Sequence, residues 1–424
     1  MPKWEDVKHF TYCVDLFGQE FFFCICPLLG IHYDGAGSSS IYVVYSLLLF
    51  GITMFFVLND MRKSLRAIRK KFFLFLPFVM TLVFLVEYVI TPPSGQEWTW
   101  KSYMFFILFC MPATYIGISI SVRRMINKLY PHFDAIAIIM TLGIFMSIPT
   151  LLTTGVASLT GGDSTSYNTI AYSSALGFSF IYYGLLSNRQ DRYPIFRTKF
   201  FRFTSVFLLL GLVFCAFSSG GRGGSLLLII FFFYLSYSYV NRKNLFKVIL
   251  GTVPVVIILT MIVSYIMSSN PHLAAAYEHG TDRAFQYISK EGVDTSKSSG
   301  RDKIYEEAIR SITENPLQVN GLFRTIGMRG YPHNFFVEIL LDGGIVYFLI
   351  WMLFLFKMVM KYLRMVKSDK DLKYMSLIVL YVMTSTFFGG TYLMTGPFWF
   401  ILALIYHYQF LGKNMLKKTV NISK

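Results

Sequence analysis

Phe72 to Ile90 reads FFLFLPFVMTLVFLVEYVI, a run with one charged side chain, Glu87, near its far end. About 20 apolar residues of helix cross the hydrocarbon core of a bilayer. In lipid the backbone must satisfy its own hydrogen bonds, which a helix does internally. The stretch therefore reads as a membrane span, and the pattern recurs. The apolar runs predict about twelve spans, at 10–30, 40–58, 72–90, 102–120, 133–153, 169–186, 203–219, 225–240, 248–267, 344–363, 374–388 and 397–411. Asp15, Gln19 and Glu20 interrupt the first. The two acids fall where the apolar core of a cleavable leader would lie, so none is expected. The last two spans are short and flank Gly389-Gly390-Thr391-Tyr392.

Composition agrees with this class. Hydrophobic residues make up 54% of the chain and charged residues 15%, against about 25% charged in a soluble domain. The expected fold is all-α: a polytopic membrane helical bundle with one large extracytoplasmic helical loop. Residues 1–267 hold spans one to nine, 268–343 the loop, and 344–424 spans ten to twelve with a cytoplasmic tail. Nothing reads as strand, and no internal repeat or low-complexity tract is present.

The charge is a topology signal. Lys and Arg total 39 against 23 acids, for a net +16. The basic residues cluster in alternate loops: Arg62 to Lys71, Arg123-Arg124, Arg189 to Arg202, Arg242-Lys243, Lys361 to Lys373, and Lys417-Lys418. The positive-inside rule assigns these to the cytoplasm, with both termini inside. Attraction to anionic membrane lipids follows from the arrangement. A nucleic-acid partner is a poor fit, because the charge forms no single basic domain. Outside lie 31–39, 91–101, 154–168, the Arg222 turn, 268–343 and the turn near 389–396. The long segment carries eight Lys or Arg and ten Asp or Glu, and long outer segments escape the positive-inside count.

Within that segment, Ser299 with Asp302 resembles a capping box. Ile304, Ala308, Ile309 and Ile312 follow at helical spacing, opposite Glu306, Glu307 and Arg310, and Asn315-Pro316 stops the pattern. This predicts an amphipathic helix of about four turns. A second helix is expected to begin at Pro332 and to carry His333. Cys13, Cys24, Cys26, Cys110 and Cys215 lie in or beside spans, so no disulfide framework is suggested. The seven histidines are scattered without a metal-binding pattern.

Several polar residues admit two readings. Arg222 stands between glycines in Gly220-Gly221-Arg222-Gly223-Gly224. It is either an anion-binding turn, with backbone N–H groups, an arginine fork and a helix start at Ser225 aimed at one place, or a tight turn whose arginine reaches lipid headgroups. Arg301 is either a second anion ligand or a partner of Asp302 or Glu306 on its own helix. His333 is a general base with a near-neutral pKa, or a hydrogen-bonding residue at a helix start. Glu338 lies about 140° round a helix from it, so it is not an obvious partner. Glu87 is a costly acid within an apolar run; it pairs with Arg222 or Arg301, or reaches the interface. Trp98, Trp100, Tyr167, Tyr331 and Tyr392 face outward, as an interfacial belt or as platforms for sugar rings.

Together these elements resemble the O-antigen ligase and O-antigen polymerase superfamily of bacterial membrane glycosyltransferases. The matching elements are Arg222 with Leu226 four residues on, Arg301 opening the loop helix ahead of Asn315-Pro316-Leu317 and Gly321, and His333-Asn334, nine residues, Gly344, two residues, Tyr347. The likeness covers roughly residues 200–360 by motif and the rest by topology.

The resemblance implies glycan transfer on the outer face of the bacterial cytoplasmic membrane from a donor on undecaprenyl diphosphate. It implies that His333 activates an acceptor hydroxyl, and that Arg222 and Arg301 hold the diphosphate and its developing charge; Asn334, Glu338 and Glu87 are candidates for a supporting role. It implies no cofactor and no metal. A saccharide acceptor, and in some systems a chain-length regulator, are the expected partners. Polymerisation of lipid-linked repeat units is the expected activity, and transfer of the glycan to lipid A-core by a ligase is the alternative. A polysaccharide flippase is the alternative of another class, but such transporters more often show two similar halves. Neighbouring genes for a flippase and chain-length regulator would select the polymerase, and core-biosynthesis genes the ligase.

Overall fold

A computed structural model describes residues 4–31, 40–64, 72–90, 96–154, 158–159, 166–187, 192–239, 301–324 and 332–409, with 268–271, 274, 278, 288–289 and 292–293 between them. Its helices in chain order are α1 (Trp4–Leu16), α2 (Gly18–Leu28), α3 (Ser40–Ser64), α4 (Phe72–Ile90), α5 (Gln96–Phe105), α6 (Met111–Arg123), α7 (Tyr130–Phe145), α8 (Ile148–Thr154), α9 (Ser166–Leu186), α10 (Lys199–Ser218), α11 (Arg222–Tyr239), α12 (Arg301–Glu314), α13 (Phe335–Ser368), α14 (Met375–Phe388) and α15 (Gly396–His407). A π-helical turn, Phe106–Cys110, joins α5 to α6. The chain is an all-α polytopic bundle. Contrary to the strand-free expectation, Ile288–Ser289 and Gly292–Val293 form an antiparallel pair, too short to alter the class.

Seven helical segments among the described residues are long and apolar enough to cross a bilayer: Ser40–Arg62, Phe72–Ile90, Trp100–Arg123, Ile126–Thr154, Tyr167–Leu186, Lys199–Ser218 and Phe335–Ser368. The shorter apolar helices α14 and α15 sit where the last two spans were expected. The expected span at 248–267 lies outside the described residues, as does the Ser299 half of the capping box.

The first expected span is two helices broken at Phe17. Of the acids that interrupt it, Asp15 is wholly buried, and Glu20 accepts the Tyr381 hydroxyl at 2.6 Å.

Burial divides the bundle into layers. Trp100–Arg123 and Tyr167–Leu186 are each 78% buried in their apolar windows, whereas Phe72–Ile90 and Phe335–Ser368 are 22% buried. The first two form the centre, and the other two present apolar surface, as lipid-facing helices do. Close crossings at the centre depend on small residues. A Cβ at Gly117 would lie 2.5 Å from the Phe400 carbonyl oxygen, and one at Gly143 1.8 Å from that of Cys24.

The two ends of the bundle differ in chemistry. At one end Asp60 accepts Lys8 Nζ at 3.3 Å, the Tyr12 hydroxyl at 3.1 Å and Ser119 Oγ at 3.2 Å, and it also pairs with Arg123. Asp134 accepts Arg192 Nε at 2.8 Å and the Tyr374 hydroxyl at 3.3 Å. These contacts collect residues from the basic loops. Breaking a buried ion pair leaves an uncompensated charge worth about 3–5 kcal/mol, so the carboxylates hold this end together. At the opposite end stand Glu87, the residues after α12, and the turn between α14 and α15.

The helix α12 has the expected four turns and ends before Asn315-Pro316. Ala308 is buried, but Ile309 is 55% exposed, so Ile309 lies off the packed face. The chain after α12 is stapled to the bundle. Phe323, fully buried with φ +62°, packs its ring 5.8 Å from Phe84 and 6.4 Å from Tyr103.

Candidate active site

The site is organised by α13 and the turn 389–392. The helix begins at Phe335 and not at Pro332: Asn334 is its N-cap, its side chain accepting Phe336 N–H at 3.0 Å and Val337 N–H at 3.3 Å. Asparagine is a favoured N-cap because its side-chain oxygen satisfies N–H groups that lack helical partners. His333 thus precedes the helix, with φ +49°. This left-handed conformation is uncommon for a residue with a Cβ and costs of order 1–3 kcal/mol, which surrounding structure must offset.

His333 Nδ1 lies 3.2 Å from the Gly389 carbonyl oxygen. A carbonyl only accepts, so Nδ1 carries the hydrogen and donates. In the neutral ring the lone pair then resides on Nε2, the state a general base requires. The half-buried ring is held by the backbone at one nitrogen.

Five residues further on, Glu338 is completely buried and accepts the Thr391 hydroxyl. Helical spacing argued against a direct partnership of Glu338 with His333. Instead, both grip the same turn, His333 at Gly389 and Glu338 at Thr391. One helical turn beyond Glu338, Asp342 accepts the Tyr392 hydroxyl at 2.8 Å, and Tyr392 Oη is 3.3 Å from Tyr347 Oη. Tyr392 is fully buried; it braces the turn and does not belong to the surface belt expected for it. Trp100 is 47% exposed and Tyr167 half-buried, while the side chains of Trp98 and Tyr331 lie outside the described residues.

Gly344 explains the spacing behind the histidine element. With φ +68° and ψ −172° it interrupts α13, in a region essentially reserved for glycine. A Cβ there would lie 2.9 Å from the Pro316 carbonyl oxygen, which accepts Ile345 N–H at 2.9 Å. The Asp342 carbonyl accepts Asn320 N–H at 3.1 Å and Gly321 N–H at 2.9 Å. The break thus docks the chain leaving α12 onto the helix that follows His333.

Glu87 completes that docking. Its carboxylate accepts Leu322 N–H at 3.0 Å, and its carbonyl accepts from Arg324 at 3.1 Å. Through these contacts Glu87 anchors the chain that leaves the Arg301 helix.

Arg222 is the first residue of α11, not a turn residue ahead of a helix starting at Ser225. Its glycine neighbours serve packing. A Cβ at Gly221 would lie 2.4 Å from Ala171 Cβ, one at Gly224 2.3 Å from the Ala171 carbonyl carbon, and one at Gly223 1.9 Å from Tyr172 Oη. They let α9 approach the start of α11. Tyr172 also touches the histidine's support, since a Cβ at Gly389 would lie 3.1 Å from its Cε2. Gly223, beside Arg222, and Gly389, which holds His333, therefore meet one tyrosine ring. Arg301 opens α12, and its side chain lies outside the described residues.

Chain segments remote in sequence thus supply residues that the sequence reading assigned no chemistry: Tyr172, Gly389 and Thr391. Only the glycines of the 389–392 turn signalled it. Residues 205–352 match the family described as O-antigen ligase (Wzy_C), a range that includes Arg222, Arg301, His333, Gly344 and Tyr347. No curated protein and no solved structure matches the chain.

Proposed function

We propose, from the match of residues 205–352 to the family described as O-antigen ligase, that the protein polymerises lipid-linked oligosaccharide repeat units. The donor is a glycan on undecaprenyl diphosphate, and the acceptor is a second repeat unit. The observation that carries the reading is the 3.2 Å contact of His333 Nδ1 with the Gly389 carbonyl, which makes Nδ1 the donor and so Nε2 the basic nitrogen of the neutral ring.

The acceptor hydroxyl oxygen attacks the anomeric carbon while its proton passes to His333 Nε2. The bond from that carbon to the diphosphate oxygen breaks, and undecaprenyl diphosphate leaves with the electron pair. Arg222 and Arg301 stabilise the charge that develops on the leaving group. The chemistry calls for no metal or other cofactor. A ligase would use the same groups with lipid A-core as acceptor; repeat-unit polymerases are the more divergent group, which favours polymerisation here. The residues fall into units 1–267, 268–343 and 344–424, with the site on the extracytoplasmic face of the inner membrane and both termini in the cytoplasm.

Orientation can be tested without touching the chemistry. Lys303 is exposed on α12, and the five native cysteines are buried. Lys303→Cys is expected to react with a membrane-impermeant thiol reagent in intact spheroplasts. Labelling that requires lysis would place the site on the wrong face for a lipid-linked donor and refute the reading.

A further inference from the structure

We infer that Thr391 and Glu338 are positioning residues for His333: the buried Glu338 carboxylate holds the Thr391 hydroxyl, and so fixes the turn whose Gly389 carbonyl orients the imidazole. The inference rests on the reading of His333 as the base.

The turn is held at each of its residues. Gly389 N–H and Gly390 N–H donate to the Ser385 carbonyl at 2.9 and 2.6 Å. Thr391 Oγ1 donates to Glu338 and accepts Leu393 N–H at 3.1 Å. Its carbonyl accepts the Thr395 hydroxyl at 2.7 Å, and the Tyr392 carbonyl accepts Trp399 Nε1 at 2.8 Å. Most of these contacts lie within the segment 385–399. The Thr391–Glu338 and Tyr392–Asp342 bonds tie the turn to α13, the helix that His333 precedes. Asp342 acts on Tyr392 at the far edge, whereas Thr391 is two residues from Gly389. The His333 and Glu338 contacts therefore act like two fingers of one helix start closed on one turn. His333 stands in a strained backbone conformation, and strain of this kind persists only where surroundings over-determine it.

The Thr391 contact has a consequence that packing alone would not. Donation from Nδ1 to a carbonyl is stronger when the ring is protonated, so a correctly placed Gly389 carbonyl raises the basicity of Nε2. The ionisable groups of the elements packed at the turn are Glu338, Asp342 and Tyr347 of α13, Tyr172 of α9, Tyr392 of the turn itself, and Arg222 at the start of α11. Replacing Thr391 leaves all of them in place.

The test reads His333 directly, through the pH dependence of hydrogen–deuterium exchange at its imidazole C2 in the purified full chain. Thr391→Val is expected to move the His333 midpoint to lower pH by roughly half to one unit. Thr391→Ala, which adds no methyl to the buried turn, is expected to do the same, and Thr391→Ser to keep the wild-type midpoint. Activity is measured in parallel with undecaprenyl-diphosphate-linked glycan extracted from cells lacking the protein. There kcat is expected to fall about tenfold to a hundredfold with KM unchanged, the usual scale for loss of an orienting partner. An unmoved midpoint in the folded Val or Ala variant would overturn the inference. His333→Ala tests the base reading separately: if it is inactive while the Thr391 midpoints do not move, the base stands and the positioning role falls.

Discussion

His333→Asn is expected to leave the protein in the membrane at wild-type amounts and to abolish long-chain polysaccharide, leaving single repeat units on the carrier. A general base contributes about 10² to 10⁴ in rate, whereas the hydrogen bond to Gly389 contributes about 1 kcal/mol to stability. Asparagine is the informative replacement because of the backbone. His333 has φ +49°, and asparagine is among the residues that tolerate this region best. His333→Ala gives up that tolerance as well as the imidazole, yet should show the same phenotype. The measurement is the polysaccharide ladder, normalised to membrane protein. Ladders of normal length from His333→Asn would make His333 a structural residue of the helix start.

The second large effect is expected at the arginines. A guanidinium can engage two phosphate oxygens at once, and lysine cannot reproduce that fork. Each charge-assisted hydrogen bond lost is worth about 1.5–3 kcal/mol, or roughly tenfold to more than a hundredfold in rate. Arg222→Lys and Arg301→Lys should therefore both be severely impaired at normal membrane levels, as measured by undecaprenyl diphosphate release from the extracted donor. The positive charge survives in both variants, so a generic attraction to headgroups would leave them near wild type. Full activity of both would make the arginines ordinary surface charges.

The spans were legible because each apolar run carries its own signal. Phe72–Ile90 begins and ends where hydropathy alone places it. The break at Phe17 was not legible, and neither was the partner of Glu20 beside it, since Tyr381 meets it from a helix near the other end of the chain. The start of α13 was misplaced by two competing signals: Pro332 suits a first helical position, but Asn334 caps two backbone N–H groups. That shift takes His333 off the helix and alters the geometry of the whole site.

The residues of the candidate site stand out in the sequence, but their arrangement does not. His333, Arg222 and Glu338 are conspicuous polar residues in an apolar chain. The turn that joins His333 to Glu338 is distant in sequence from both, and no local period reports it. The glycines beside Arg222 stand out in the sequence, but the helix they pack against does not. They mark a close approach, and the approaching group is Tyr172 and its helix. Glu87 was conspicuous as an acid within a span, but its partner, Leu322 N–H, is a backbone group that no side-chain pattern discloses.

The central claim is group transfer from a polyprenyl diphosphate, and reconstitution tests it most directly. The purified protein in liposomes, given lipid-linked repeat units extracted from cells lacking it and a chelator in the buffer, should release undecaprenyl diphosphate in step with the appearance of longer glycans. Repeat units that cross the bilayer intact, with no diphosphate released, would contradict the account and identify a transporter.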